Sequence, residues 1–296
     1  MKSFDINRFG QTLRWVVSVN MRKMLLWCIG SIVAVFLGEI AFQAMNNWDT
    51  PYWMLRNFSQ FMSMLFVMVS LILISSITIN INEKRKREAF LMLPASNLEK
   101  YLSLAVYSTV ICIACMFLSI VIGDSLRMAW YWVSGYAGSN GIAFIELGDG
   151  TVYHWWSSAV PLLIEDLTPS ITNSFEVPTD LLTVEISFIA GFVLWTHSLY
   201  TLGGTLLRKY SFVITSVFII LCITLFVRMM FAFHVSIFHT RWDNGELIEY
   251  EIGTMSWILV IAFPLFSIAN YWASYQIFKG FELITNKWTN YDFYKR

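Results

Sequence analysis

Long apolar runs, broken by short polar segments, set the rhythm of this chain. A membrane-spanning helix needs about 20 mostly apolar residues, and six stretches qualify, at roughly 24–45, 58–80, 102–122, 186–207, 211–233 and 255–278. Ahead of the first run, Phe9, Leu13, Val16 and Val17 recur at helical spacing, with Arg8, Gln11 and Thr12 at other positions. That pattern predicts an amphipathic helix lying in the membrane interface, with Ser3 or Asp5 as its cap. The expected fold is therefore an all-α membrane protein with six transmembrane helices and an N-terminal interfacial helix. It forms a single transmembrane domain over 1–296, with non-spanning segments at 1–23, 81–101, 124–185 and 234–253.

Charge gives the expected orientation. Sixteen of the 20 lysines and arginines fall in the N-terminal tail, in 81–101, in the Arg208-Lys209 turn and in the C-terminal tail. The positive-inside rule places these segments, and both termini, in the cytoplasm. Arg56, Arg127, Arg228 and Arg241 then lie on or near the outer side, with most of the acidic residues. Composition agrees with membrane insertion: 57% of residues are hydrophobic and 14% charged, and the mean hydropathy is +0.58. Soluble domains average about 25% charged. No cleavable leader is expected, because the first apolar run is long enough to remain as an anchor. Cys28, Cys112, Cys115 and Cys222 all sit in apolar runs and read as packing residues, the Cys112/Cys115 spacing included.

The third span is expected to run on past Gly123 through Arg127 to the aromatic cluster around Trp132, suited to a membrane interface. Beyond it, Ile142–Leu147 and Thr151–Trp156 flank an Asp-Gly turn and predict a hairpin. Pro161, Pro169 and Pro178 interrupt the chain after the hairpin, with an amphipathic Leu162–Leu167 between the first two. The result is a small outer cap containing a hairpin. The second outer loop carries His234, His239, Asp243 and Glu246; a polar, solvated loop accounts for them, and no metal site is expected.

Catalytic signatures are missing. There is no GxxxxGK[ST] phosphate cradle, no HExxH and no GxSxG. No cofactor is expected, and the chain is not expected to be an enzyme by itself. Ionisable residues at membrane depth are more informative, because they usually face a bundle interior, a cavity or a partner. Glu39 and Arg228 are expected at similar depth and form a candidate pair between the first and fifth spans; the alternative is that each reaches the interface by snorkelling. His197 reads as a hydrogen-bonded packing residue, and Gly203-Gly204 as a site of close helix approach.

The longest polar interruption is Glu83–Lys100, EKRKREAFLMLPASNLEK. It reads as a short helix, a proline break at Pro94, and a Ser96/Glu99 capping box that opens the third span. This stretch resembles the loop between the second and third helices of ABC-2-type permeases, the membrane subunits of ATP-binding cassette exporters. Glu88 takes that family's acidic position, Leu91–Leu93 its leucine block, Pro94-Ala95-Ser96 its proline-x-serine, and Glu99-Lys100 the exit. Ala89-Phe90 stands where the family usually has glycine-threonine.

The resemblance implies a coupling helix seated in a separate cytoplasmic ATPase subunit, with Arg87, Glu88, Phe90, Leu91, Leu93, Pro94 and Ser96 at the contact. It also implies a second permease chain as partner and a bacterial inner membrane; export is expected over import, because no attachment site for an external binding protein is recognisable in the sequence. The bilayer is the other expected partner; nucleic acid is not. Two competing readings remain. Lys84–Arg87 could clamp anionic lipid, each cation contributing about 1 kcal/mol. Alternatively, the chain is a membrane sensor or assembly factor that binds a ligand through its outer segment.

Overall fold

The computed structural model describes residues 4–45, 51–78, 83–134, 144–145, 152–154, 156–167, 179–234, 238–243, 246–280 and 289. Its helices are α1 (Ile6–Met45), α2 (Pro51–Ser75), α3 (Lys84–Met92), α4 (Asn97–Val106) and α5 (Cys112–Val133). A five-residue π-turn, Tyr107–Ile111, joins α4 to α5. Then come α6 (Val160–Leu167), α7 (Thr179–Leu206), α8 (Ser211–Phe233) and α9 (Thr254–Lys279). Strands β1 (Phe144–Ile145) and β2 (Val152–Tyr153) pair antiparallel, as do β3 (Phe238–Asp243) and β4 (Glu246–Ile252). Asp49, Glu146, Asp149, Pro169, Glu176 and Pro178 lie outside the described residues.

Six helical segments are long and apolar enough to cross a membrane: Ile6–Phe42, Tyr52–Ser75, Asn97–Val133, Thr183–Leu206, Ser211–Phe233 and Thr254–Lys279. This is the architecture of a multi-pass membrane protein. One span differs from expectation. The segment expected as a separate interfacial helix is continuous with the first span, in one 40-residue helix. Nothing between residues 20 and 24 breaks it: Asn20 bonds back to the Val16 carbonyl, and Arg22 and Lys23 carry charge without disturbing helical geometry. At 1.5 Å per residue α1 is about 60 Å long, twice the thickness of a hydrocarbon core. The third span likewise continues to Val133, as the aromatic pattern predicts.

The chain forms two compact units. The first contains Met1–Arg14, Leu71–Ser108 and Ile171–Arg296; the second contains Trp15–Ser70 and Thr109–Ser170. The boundaries at 14/15, 70/71 and 108/109 fall inside helical segments, so no composition change marks them.

In the second unit, Val35, Met54, Phe58, Met62, Ile120 and Leu163 form a fully enclosed apolar core. Gly123 lets α5 approach α1: a Cβ there would lie 2.9 Å from Cβ of Val35. The first unit is joined differently. Helix α9 packs extensively along α7, and hydroxyl pairs bridge the helices. The Tyr101 hydroxyl donates to Ser274 Oγ at 3.0 Å, and Ser274 in turn contacts Thr205 Oγ1 at 3.0 Å. Asn270 donates to Ser198 Oγ at 3.0 Å, and His197 Nδ1 meets the Tyr271 hydroxyl at 2.5 Å, the packing role expected for that histidine.

The Gly203-Gly204 pair marks close approach, as expected. A Cβ on Gly204 would lie 2.4 Å from the Ser75 carbonyl oxygen, which already accepts the Ser211 hydroxyl. Thr78 also donates to the Gly204 carbonyl at 2.6 Å. Because the obstruction is backbone, it cannot swing aside. Gly204→Ala should destabilise the protein by about 1–3 kcal/mol, read as a lowered thermal midpoint in detergent. Gly10→Ala, whose Cβ meets nothing within 4 Å, should leave the midpoint unchanged or raise it.

Candidate functional site

The polar stretch between the second and third spans has a defined structure. Helix α3 places Arg87 and Phe90, three residues apart, on one face, and both are buried. Phe90 meets the ring of Phe278 edge-on at 6.3 Å. The Lys100 ammonium donates to the Leu91 carbonyl at 2.8 Å, serving one of the carbonyls that a helix end leaves without an intrahelical donor. Pro94 then prevents α3 from continuing. Ser96 caps α4 by accepting from the Glu99 amide at 3.3 Å, while Glu99 Oε2 accepts from the Ser96 amide at 2.7 Å, completing the predicted capping box.

Glu99 does more than cap. Its Oε1 accepts from the Asp5 amide at 2.8 Å and from Arg8 Nη2 at 3.0 Å, and its side chain is fully enclosed. One carboxylate therefore fixes both the start of α4 and the start of α1. Asp5 caps α1 in turn, accepting from the Asn7 amide at 2.8 Å, one of the two caps the sequence offers. Burial, and the neighbouring Arg208 guanidinium, hold Arg87 below the usual arginine range.

With Arg87 and Phe90 turned inward, the opposite face of α3 comprises Arg85, Glu88, Ala89 and Met92, at i, i+3, i+4 and i+7. Met92 is 86% exposed, and Pro94 and Leu98 extend the exposed surface past the helix end. The residues expected at the contact divide between surface and interior. Glu88 and Pro94 are exposed, Leu91 and Leu93 are half-buried, and Ser96 is engaged in its cap. Arg87 and Phe90 face the protein's own interior and are not available to a partner. Arg85, Ala89 and Met92 belong to the surface instead. Helical periodicity measured outward from Phe90, the largest apolar residue of the block, carries that signal.

A second polar cluster lies in the other unit. Depth along the spans suggests Arg228 as the partner of Glu39; the cation beside it is instead Arg127, with Nη1 3.8 Å from Glu39 Oε1. The Tyr131 hydroxyl donates to the same oxygen at 3.0 Å. Arg127 also donates through Nε to Asp124 Oδ1 at 2.8 Å and through Nη2 to the Ser157 carbonyl, and lies over the rings of Phe58 and Tyr131. Asp124 Oδ2 accepts from Ser158 Oγ at 2.6 Å and from the Ala159 amide at 3.2 Å, at the N-terminus of α6. Glu39, Asp124 and Arg127 are each 1% exposed.

This knot ties α1, α5 and the start of α6 together, and its function is cohesion. Its signal is present in the sequence: Asp124 and Arg127 stand one helical turn apart once α5 is extended past Gly123. Arg228 projects from α8 and is exposed. Among the described residues no group of three or more histidine, cysteine or carboxylate side chains could hold a metal ion.

Removing one partner of a buried ion pair leaves the other uncompensated. Arg127→Ala should destabilise the protein by about 3–5 kcal/mol, lowering yield and thermal midpoint together. Glu39→Gln, which keeps an acceptor for Tyr131 and leaves Arg127 paired with Asp124 at 2.8 Å, should be much milder. No family model, curated protein or solved structure matches this chain.

Proposed function

We propose that this chain is the membrane-spanning permease subunit of an ABC-2-type transporter. It moves a substrate, outward in the favoured direction, using ATP hydrolysed by a separate cytoplasmic ATPase. Six apolar helices and the resemblance of Glu83–Lys100 to the coupling loop of that family support this reading. The observation that carries it is the outward stripe of α3. A short helix anchored through Phe90 and a buried Arg87 presents Arg85, Glu88, Ala89 and Met92 away from the protein. An exposed methionine flanked by both signs of charge suits a protein partner better than a lipid surface, because a clamp on anionic lipid gains nothing from Glu88.

The mechanics derive from the anchoring. A push on α3 reaches α4 through the Lys100–Leu91 bond, and α1 through Glu99 to Asp5 and Arg8. ATP-driven movement of the partner would thus act on two spans through one rigid connection. A second permease chain would complete the pathway, in a bacterial inner membrane with both termini cytoplasmic. The chain itself has no nucleotide-binding motif, in keeping with energy supplied by the partner.

The test is co-purification of the tagged protein from its native host in a gentle detergent. A stoichiometric ATPase subunit should accompany it. Met92→Asp or Glu88→Lys should reduce recovery of that subunit by about tenfold or more, as expected when a contact residue worth over 1.4 kcal/mol is lost. Both variants should remain monodisperse, since neither side chain is buried. A monodisperse protein that brings down no ATPase in several detergents would instead favour the sensor or assembly-factor reading.

A further inference from the structure

Helix α8 carries one charged side chain, Arg228, and no ion pair engages it among the described residues. By helical rise it lies about 7 Å short of the helix end, the depth at which a long basic side chain reaches a membrane interface. Two cavities open on the same helix. One, of about 420 Å³, is lined by Ile223, Thr224, Val227, Arg228 and Phe231. The other, of about 550 Å³, is an apolar trough walled by Phe188, Phe192 and Trp195 of α7, Phe226 of α8, and Phe263 and Phe266 of α9. Ile223 and Val227 line both, so the trough leads directly to the arginine.

The trough's volume lies within the roughly 300–1,000 Å³ of small-molecule sites. Its lining is almost wholly hydrocarbon, and the amide of its one polar side chain, Asn270, donates to Ser198. An occupant gains there by dispersion and apolar burial, not by hydrogen bonding. At the Arg228 end the requirement reverses, because a basic side chain at the interface attracts an anionic headgroup. An alkyl chain alone satisfies the trough, and an inorganic anion alone satisfies the arginine. A molecule with one anionic head and a long apolar tail satisfies both.

We propose that the α7–α8–α9 face is a binding site for an anionic phospholipid from the bilayer, its phosphate on Arg228 and an acyl chain in the aromatic trough. The site is independent of the permease reading: it requires neither an ATPase nor transport of the lipid.

Native mass spectrometry of the full-length protein in detergent provides the test. The probes are phosphatidylglycerol and phosphatidylcholine with identical acyl chains. The wild type should retain phosphatidylglycerol preferentially. Arg228→Gln should weaken that adduct about fivefold, the factor corresponding to ~1 kcal/mol for a basic residue on anionic lipid, and should equalise the two lipids. Arg228→Lys should keep the preference, and Ile223→Trp, which fills the junction of the cavities, should reduce both adducts. Raising ionic strength should weaken phosphatidylglycerol alone, a readout that needs no variant to fold. Equal retention of the two lipids by the wild type would overturn the proposal, as would a preference that survives Arg228→Gln or is indifferent to salt. A lipid-free dimer dissociated by Arg228→Gln would assign the face to a second copy of the chain and likewise overturn it.

Discussion

A hydrocarbon layer offers no hydrogen-bond partner, so every polar group placed in it must be answered from within the protein. Serines and threonines within the spans largely comply by bonding to their own helix: Ser31 to the Trp27 carbonyl, Ser119 to Cys115, Thr201 to His197 and Ser267 to Phe263. Others answer one another across helices, as Ser75 does with Ser211 and Tyr101 with Ser274. The largest demand comes from Arg127, whose guanidinium is met by Asp124, Glu39, the Ser157 carbonyl and two aromatic faces. Close packing depends on the same economy, since residues such as Gly123 and Gly204 let helices come near enough for these partners to meet.

Where the chain leaves the apolar spans, the constraint changes sign. Polar groups there have water available, so a carboxylate buried among protein donors marks a joint that is meant to hold. Glu99 is such a joint, binding the Ser96 cap, the Asp5 amide and Arg8 with one side chain. Helix α3 is held beside it by Phe90 and by Lys100. What is left outward is a stripe in which an exposed methionine sits between charges of opposite sign. A segment so firmly held yet so incompletely covered has the form of a docking element, which is why the proposed function rests on it.

Most of the spans are legible in the sequence because hydropathy and length alone define them. The Ser96/Glu99 cap, the run-on of the third span and the close approach at Gly204 are legible for similarly local reasons. The readings that fail need knowledge of which face of a helix turns inward. Depth alone makes Glu39 and Arg228 look like partners, yet Asp124 and Arg127, one turn apart on α5, carry the pairing at Glu39. Motif position alone places Arg87 and Phe90 at a partner's surface, whereas the helix turns them toward Phe278 and Arg208. The continuous α1 is missed because charge at Arg22 and Lys23 resembles a boundary without breaking a helix. The β3–β4 ribbon is missed because the polar residues of 234–253 read together as a solvated loop.

The proposed function turns on one claim, that the outward stripe of α3 is a docking surface and its inward face is not. Site-specific photocrosslinking in native membranes tests it most directly, with the reactive side chain placed at Met92 in one variant and at Phe90 in another. The expected result is an adduct from Met92 to a cytoplasmic protein that binds ATP, and from Phe90 only crosslinks within the chain. Adducts to that protein from Phe90, or none from Met92 while the protein is inserted and folded, would contradict it.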